Sequence, residues 1–249
     1  MALASPTPEV LDFIAPVAQA YEKLIASPRA DPESGLGGSL FYAGELDTAG
    51  RTFVVAANIA GAATLVASPD RAAQKQAIRD GVVDFLVTSL DEALRILKNQ
   101  LRKRETVSVC VAMEPTTIEN EMKDRGVQPD LLRSKVTCGQ PAGEDSLPLL
   151  TWSVASAPAQ WLPQLDAIVV ECLDAEEWAA RRWLRLAPRY LGSRARTTHA
   201  LACSQNIALR IIARVQKTFE RGEIGVPVEI RCRDSRGHEE KQQFEPIKP

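Results

Sequence analysis

Residues 89–112, with the sequence SLDEALRILKNQLRKRETVSVCVA, contain the pattern that decides the fold. Ser89 followed three positions later by Glu92 is a capping-box pattern, which predicts the start of a helix. The apolar residues of this helix recur at helical spacing and share one face; they are Leu90, Ala93, Leu94, Leu97 and Leu101. Residues 106–112 are then apolar on both alternating faces, as in a strand buried on both sides. Such strands are typical of parallel sheets covered by helices.

The same alternation of strand and helix extends outward from this stretch. Helices are predicted over residues 51–62, 68–80 and 115–125, and strands over residues 40–43, 64–67, 82–87, 106–112 and 130–132. Four or five strands that alternate with helices predict an α/β fold, in which a three-layer, mostly parallel Rossmann-like sheet is flanked by helices.

Two further segments flank this predicted core. Residues 1–38 are expected to form an N-terminal helix and a linker, the core occupies residues 39–140, and residues 141–249 form an α/β C-terminal part. This last part is either continuous with the core or involved in a dimer contact. We expect it to contain a strand at 167–172 and a helix that begins with Asp174 and Glu177 and continues through Trp178 and Leu184. A long helix at 198–221 and a strand at 226–232, which Pro227 marks as an edge, are expected to follow. With a turn at 234–237, the chain would end in a helix plus β-hairpin extension.

Composition indicates an ordinary globular protein. The chain has 249 residues, of which 45% are apolar and 25% charged, enough for one large or two small domains. A net charge of -2 disfavours a surface directed at nucleic acid or at a membrane, and no apolar run is long enough for a membrane span. Met1 to Thr7 lack the features of a secretory signal. Five cysteines without CxxC spacing favour reduced thiols and a cytoplasmic location.

Five motifs between residues 37 and 132 carry a family resemblance. They are LFYAG (40–44), AANIAG (56–61), DGVVD (80–84), SLDEAL (89–94) and RGVQPD (125–130). The pair DGVVD and SLDEAL is specific in combination. In these motifs and their order, the chain resembles the central Rossmann-like domain of the urocanase family. The resemblance implies a homodimeric enzyme that binds NAD tightly and uses it as an electrophile while adding water to urocanate.

The turn after the first strand departs from the family pattern. In the family this turn is a glycine-rich Gly-Leu-Gly-Gly-Met-x-Gly-Ala-Gln loop, whose glycines let backbone N–H groups approach the dinucleotide phosphates at a helix N-terminus. Here residues 44–52 are GELDTAGRT, so that Gly44 remains while Leu46, Asp47 and Thr48 replace the middle glycines. Glu45 and Asp47 would face the phosphates, and like charges ~5 Å apart at an effective dielectric of about 20 repel by about 3 kcal/mol.

Two other departures concern the ribose and the reaction. Where the family has a glutamate that binds the ribose after the second strand, this chain has Ser68. The family's motif Thr-Asp-Gln-Thr-Ser-x-His-Asp is replaced by RSKVTCGQ at 133–140, so its acid and its histidine are absent. The substrate-binding regions on either side of the family's Rossmann-like domain have no counterpart. We therefore expect no cofactor, or NAD if the ancestral site is retained. A nucleotide or another small anionic ligand would then be held at the first strand–loop–helix turn, by Gly44, Thr48, Gly50, Arg51, Thr52 and Ser68.

Two other groups of residues could carry chemistry. His199 and Cys203 are four positions apart on a predicted helix, so their side chains can share one face. This spacing fits a catalytic nucleophile and base, half of a metal site, or a thiol packed in the core. No second pair of residues lies at metal-ligand spacing, so no metal is predicted. The segment from Arg181 to Arg196 contains six arginines with Trp183 and Tyr190 between them. It fits phosphate or single-stranded nucleic acid, and equally a solvated face or a subunit contact.

The sequence leaves three hypotheses about function. The first is a small-ligand-binding or interaction module on a degenerate dinucleotide-binding fold, homo-oligomeric by resemblance and without the hydratase motifs of an enzyme. The second is a divergent enzyme of the lyase or oxidoreductase type that still binds NAD or another nucleotide at the first turn. The third is a nucleic-acid binder that uses residues 181–196. No catalytic residue is assigned.

Overall fold

The computed structural model describes residues 8–138, 147–234 and 238–246. Helix α1 (Pro8–Ile25) comes first, and its residues are divided between two compact units. One unit comprises Gln19–Pro141, and the other comprises Met1–Ala18 with Ala142–Pro249.

The first unit is built on a five-stranded sheet with every strand parallel to its neighbours. The sheet order is β3-β4-β2-β1-β5. Its strands are β1 (Leu40–Glu45), β2 (Ala63–Ala67), β3 (Phe85–Val87), β4 (Val107–Val111) and β5 (Leu131–Leu132). The helices between and after them are α2 (Thr48–Ala60), α3 (Arg71–Arg79), α4 (Leu90–Lys103), α5 (Pro115–Asp124) and α6 (Arg133–Cys138).

Helices cover both faces of this sheet, because its central strands are apolar on both sides. On one face, Leu65 and Val109 pack with Leu97 of α4 and Ile118 of α5. On the other face, α2 lies against β1, where the rings of Phe41 and Phe53 are 6.2 Å apart. The prediction of a three-layer, Rossmann-like α/β core is therefore confirmed, with all five strands parallel.

A network of polar side chains joins α2 to β4 and to the loop that precedes β3. The Asn58 side chain on α2 donates to the Val82 carbonyl, 3.1 Å away, and to the Ser108 hydroxyl, 3.4 Å away. The Asp84 carboxylate accepts hydrogen bonds from both the backbone amide and the hydroxyl of Ser108, at 2.8 and 2.9 Å. The loop that precedes β3 is thereby attached to β4.

The second unit contains a four-stranded antiparallel sheet in the order β7-β6-β8-β9. The strands are β6 (Leu149–Val154), β7 (Thr198–Ala202), β8 (Val228–Arg233) and β9 (Glu239–Phe244). The helices are α7 (Pro158–Glu171), α8 (Trp178–Leu191) and α9 (Gln205–Glu220), with a short 3-10 turn at Gly192–Ala195. The predicted β-hairpin is confirmed as β8–β9, and the predicted C-terminal helix is confirmed only over α9; the predicted turn at 234–237 lies partly outside the described residues.

Three predictions for this unit are wrong. Residues 167–172 are not a strand: residues up to Glu171 belong to α7, which buries Leu162, Leu165 and Val169. Residues 198–221 are not one helix, because β7 pairs with β6 before Ser204 caps the start of α9. Pro227 does not mark an edge strand, since it lies just before β8, which has a partner on each side. Among the residues that the structure describes, no helix has the length and apolarity needed to cross a bilayer.

Candidate functional site

The carboxyl end of β1 approaches the first turn of α2 very closely. Gly44 has a φ of +75°, in the left-handed region that favours glycine. At Gly50, a Cβ atom would lie only 1.9 Å from the Glu45 carbonyl oxygen, so no side chain fits there. These two glycines let the chain turn from strand into helix at the edge where Rossmann-like sheets bind their ligands.

The N-terminus of α2 is capped by the chain's own carboxylate. Asp47 occupies the N-cap position, and its Oδ1 accepts a hydrogen bond of 2.5 Å from the Gly50 backbone amide. The guanidinium of Arg133 donates from Nη1 to the same Asp47 oxygen at 2.9 Å and to the Glu45 carbonyl at 3.2 Å. A negative group therefore already lies at the positive end of the helix dipole, and a cation neutralises it.

The residues of this turn do not fit a dinucleotide pyrophosphate. A phosphate at the start of α2 would have to displace the Asp47 carboxylate from the Gly50 amide and from Arg133, and would then lie beside that carboxylate. Of the side chains that replace the family's middle glycines, Asp47 is therefore the one that takes a backbone amide which a phosphate would need.

The other predicted site residues are bonded elsewhere. Arg51 forms an ion pair with Asp80, which caps the end of α3, and the Thr52 hydroxyl donates to the Thr48 carbonyl within α2 at 3.0 Å. The turn therefore brings Gly44 and Gly50 against the Arg133 guanidinium, while Arg51 and Thr52 are held by partners of their own and Thr48 is exposed.

Ser68 also has a local structural role. It is buried, its hydroxyl accepts a hydrogen bond from the Asp70 amide at 3.2 Å, and its carbonyl accepts one from the Gln74 side chain at 2.6 Å. Asp70 in turn caps α3 by accepting from the Ala72 amide at 2.7 Å. The start of α3, like that of α2, is thus capped by an aspartate.

Arg133 was not among the predicted site residues. It directly follows β5, which pairs with β1, so the parallel sheet places it at the same edge as the β1–α2 turn. A positively charged residue immediately after a strand that neighbours β1 is the sequence signal that could have identified Arg133. The sequence does not give the order of the strands, and that order is what brings β5 beside β1.

His199 and Cys203 do not share a helix face, contrary to the prediction. His199 lies on β7, and its Nδ1 is 2.9 and 2.8 Å from the two carboxylate oxygens of Asp166 on α7. The Trp152 indole N–H donates to the same carboxylate at 3.0 Å. The described ranges contain no group of three or more His, Cys, Asp or Glu that could hold a metal ion.

Within residues 181–196, Arg185, Arg189 and Arg196 are exposed, whereas Arg181 and Arg182 are not, and the nucleic-acid hypothesis for this segment stays a prediction. Arg181 donates to the carbonyls of Leu173 and Asp174, and Arg182 is buried. Arg189 lies over the ring of Tyr190, 5.3 Å from its centroid. Such contacts are typical of arginines that stabilise their own helix and its neighbours.

A comparison with models of protein families supports the Rossmann-like fold of the first unit. Residues 17–149 match the family model of the urocanase Rossmann-like domain. The match covers more than half of the chain and includes β1 to β5 of the parallel sheet. The chain therefore belongs to the urocanase family, through its Rossmann-like domain.

Proposed function

We propose that this protein is a non-catalytic member of the urocanase family, an interaction or small-ligand-binding module that does not hold NAD at the β1–α2 turn. The observation that carries the proposal is the capping of α2 by Asp47, whose carboxylate is paired with Arg133. Urocanate hydration as the family performs it depends on NAD, so a turn closed in this way argues against that reaction.

Two ionisable groups on strands of the parallel sheet, Cys110 and Tyr42, support the same proposal. The Cys110 thiol is buried in the sheet, and this burial raises its pKa to about 12, which keeps it protonated and a poor nucleophile. Burial beneath α5 and the nearby Glu119 carboxylate raise the pKa of the Tyr42 hydroxyl above its ordinary value. Neither group is poised to lose a proton near neutral pH, as a catalytic base or nucleophile would be.

The second candidate is a divergent enzyme that binds NAD or another nucleotide at the same turn. Gly44 and Gly50 favour it, because they preserve the close strand-to-helix approach of a dinucleotide-binding turn. In this alternative the Asp47–Arg133 pair would have to open, with Arg133 transferring to a phosphate.

Thermal denaturation with and without NAD separates the two candidates. A ligand at a hundred times its Kd stabilises the folded state by about 2.7 kcal/mol, which raises the melting temperature by several degrees. We expect no shift with NAD, NADP or ATP. A saturable shift with NAD that disappears in Arg133→Gln would contradict the proposal, because it would place the dinucleotide at this turn.

We also propose a cytoplasmic, homo-oligomeric protein. Cys110, Cys172, Cys203 and Cys232 are free thiols, which supports a reducing compartment. Membership of the family supports the oligomer. Light scattering of the purified protein tests this second point, and the mass of a monomer would contradict it.

A further inference from the structure

Three large apolar side chains are exposed at one edge of the parallel sheet. Ile78 on α3 is 38% exposed, and Phe85 and Leu86 on β3 are 46% and 38% exposed. In the described ranges, only two other large apolar side chains are exposed to a similar degree, Leu147 and Leu209. Clusters of exposed apolar side chains are typical of interaction surfaces.

The backbone at this edge is open as well. β3 is the last strand of the sheet, and α3 packs beside it. Because β3 pairs only with β4 in the described part of the chain, its outer side can accept a further strand. Leu86 lies beside Cys110 in register and Phe85 beside Val109, so the two side chains point to opposite faces of the sheet. An added strand would reach both faces with alternate side chains.

A row of positive charges borders the same edge. Arg71, Lys75 and Arg79 are spaced four residues apart on α3 and so share one face of the helix, next to Ile78. All three are exposed, and none forms an ion pair or side-chain hydrogen bond within residues 8–138, 147–234 and 238–246. Asp80, at the end of the same helix, is already paired with Arg51.

We propose that this α3–β3 edge, formed by Arg71, Lys75, Ile78, Arg79, Phe85 and Leu86, binds an extended acidic segment of a partner protein. The segment adds to β3 as a strand, places apolar side chains on Ile78 and Leu86, and pairs its carboxylates with the three cations. The three uncompensated positive charges, in a chain with a net charge of -2, select an acidic partner. A nucleic acid would use the cations and leave the apolar residues and the open strand without a role. The inference does not depend on what the β1–α2 turn binds.

An NMR titration of the isotope-labelled full chain with the peptide acetyl-Glu-Thr-Ile-Thr-Glu-Thr-Glu-amide, whose isoleucine and glutamates share one face of a strand, tests the proposal. We expect chemical-shift changes centred on the backbone amides of β3 and α3. The triple variant Arg71→Glu, Lys75→Glu, Arg79→Glu should weaken binding roughly tenfold or more. Its matched control is Arg95→Glu, Lys98→Glu, Arg102→Glu, which makes the same charge change at exposed positions of α4 and should leave binding unchanged.

A second variant separates the apolar contact from the charges. Leu86→Asp keeps the cations and should also weaken binding roughly tenfold, while a melting temperature close to that of the wild type shows that β3 is intact. The proposal is overturned if the peptide leaves β3 unperturbed, or if the α4 control weakens binding as much as the α3 triple variant. It is equally overturned if a single-stranded oligonucleotide shifts the same amides at lower concentration, or if Leu86→Asp converts a dimer to a monomer.

Discussion

Replacement of Asp47 by alanine should destabilise the first unit more than the loss of an ordinary helix cap would. Asp47 accepts a hydrogen bond from the Gly50 amide at 2.5 Å and pairs with Arg133 at 2.9 Å. The loss of an N-cap costs about 1 kcal/mol. The ion pair adds at most about 1 kcal/mol, because the Asp47 side chain is 45% exposed and the Arg133 side chain 22%. We expect Asp47→Ala to lower the free energy of unfolding by about 1–2 kcal/mol in total.

Asp70→Ala is the matched control for this variant. Asp70 caps α3 through the Ala72 amide at 2.7 Å and forms no ion pair among the residues described. Its removal should therefore cost only the cap, about 1 kcal/mol. Asp47→Asn completes the series, because asparagine caps as well as aspartate but carries no charge; this variant should cost less than about 1 kcal/mol.

Urea denaturation measures the free energies, and amide hydrogen exchange locates the effect. Exchange of the Gly50 amide should accelerate in Asp47→Ala and remain slow in Asp70→Ala, because only the first variant removes the acceptor of that amide. If Asp47→Asn is as stable as the wild type, and Asp47→Ala costs no more than Asp70→Ala, then Arg133 contributes nothing to the cap. The reasoning that an internal ion pair closes the turn would then be refuted.

Four further variants, one of them a control, test other parts of the first unit. Burial raises the pKa of Glu22 to about 7, so the folded state retains a proton that the unfolded chain loses near pH 4.5, and the free energy of unfolding should fall as pH rises between these values. Glu22→Gln should abolish this pH dependence and be more stable than the wild type at pH 8 by about 1–2 kcal/mol. Urea titrations at several pH values measure both effects. Gly50→Ala should lower the free energy of unfolding by about 2–3 kcal/mol, because the new Cβ would meet the Glu45 carbonyl. Gly126 has open space around it and a φ of +65°, so Gly126→Ala should lower the free energy of unfolding by only about 1 kcal/mol. Thermal denaturation measures both variants. Thr64→Val should raise the free energy of unfolding by about 1 kcal/mol, because the buried Thr64 hydroxyl has no hydrogen-bond partner among the described residues and a buried unpaired polar group is costly; a loss of stability would reveal a partner, such as a buried water.

The parallel core could be predicted from sequence because its signals are local. Residues 106–112 are apolar on both faces, which distinguishes a doubly covered strand, and Ser89 does accept the Glu92 amide at the start of α4, as its spacing with Glu92 predicts. The second unit gave weaker signals. The apolar, β-branched run at 167–172 suits a strand, but it forms the last turns of α7, whose buried face packs in the second unit. Periodicity alone cannot separate a short buried helix segment from a strand.

The candidate site could be predicted only in part, for a related reason. Gly44 and Gly50 have a local signal, because a tight strand-to-helix turn requires glycine, whereas their predicted role in holding a ligand stays a prediction. Arg133 was missed because its contact with Asp47 joins residues 86 positions apart, through the pairing of β5 with β1. The partners of Arg51 and Ser68 were missed for the same reason. Which group a polar side chain contacts depends on tertiary placement, and residue type does not specify it.

The motifs that carry the resemblance to urocanase form contacts between the helices and strands of the first unit. The altered β1–α2 turn takes no part in these contacts. Asn58 of AANIAG donates to the Val82 carbonyl of DGVVD, and Asp84 of DGVVD accepts from Ser108 on β4. Asp130 of RGVQPD accepts from the Leu40 amide, at the start of LFYAG, at 2.8 Å. These contacts hold helices and strands together whether or not a nucleotide is bound, so they are compatible with a β1–α2 turn in which Asp47 caps α2. Membership of the family therefore follows from residues that build the sheet, and it does not by itself establish the hydratase reaction. The two can be separated by experiment: Asp84→Ala should unfold β3 in hydrogen exchange, whereas Asp47→Asn should leave every strand protected.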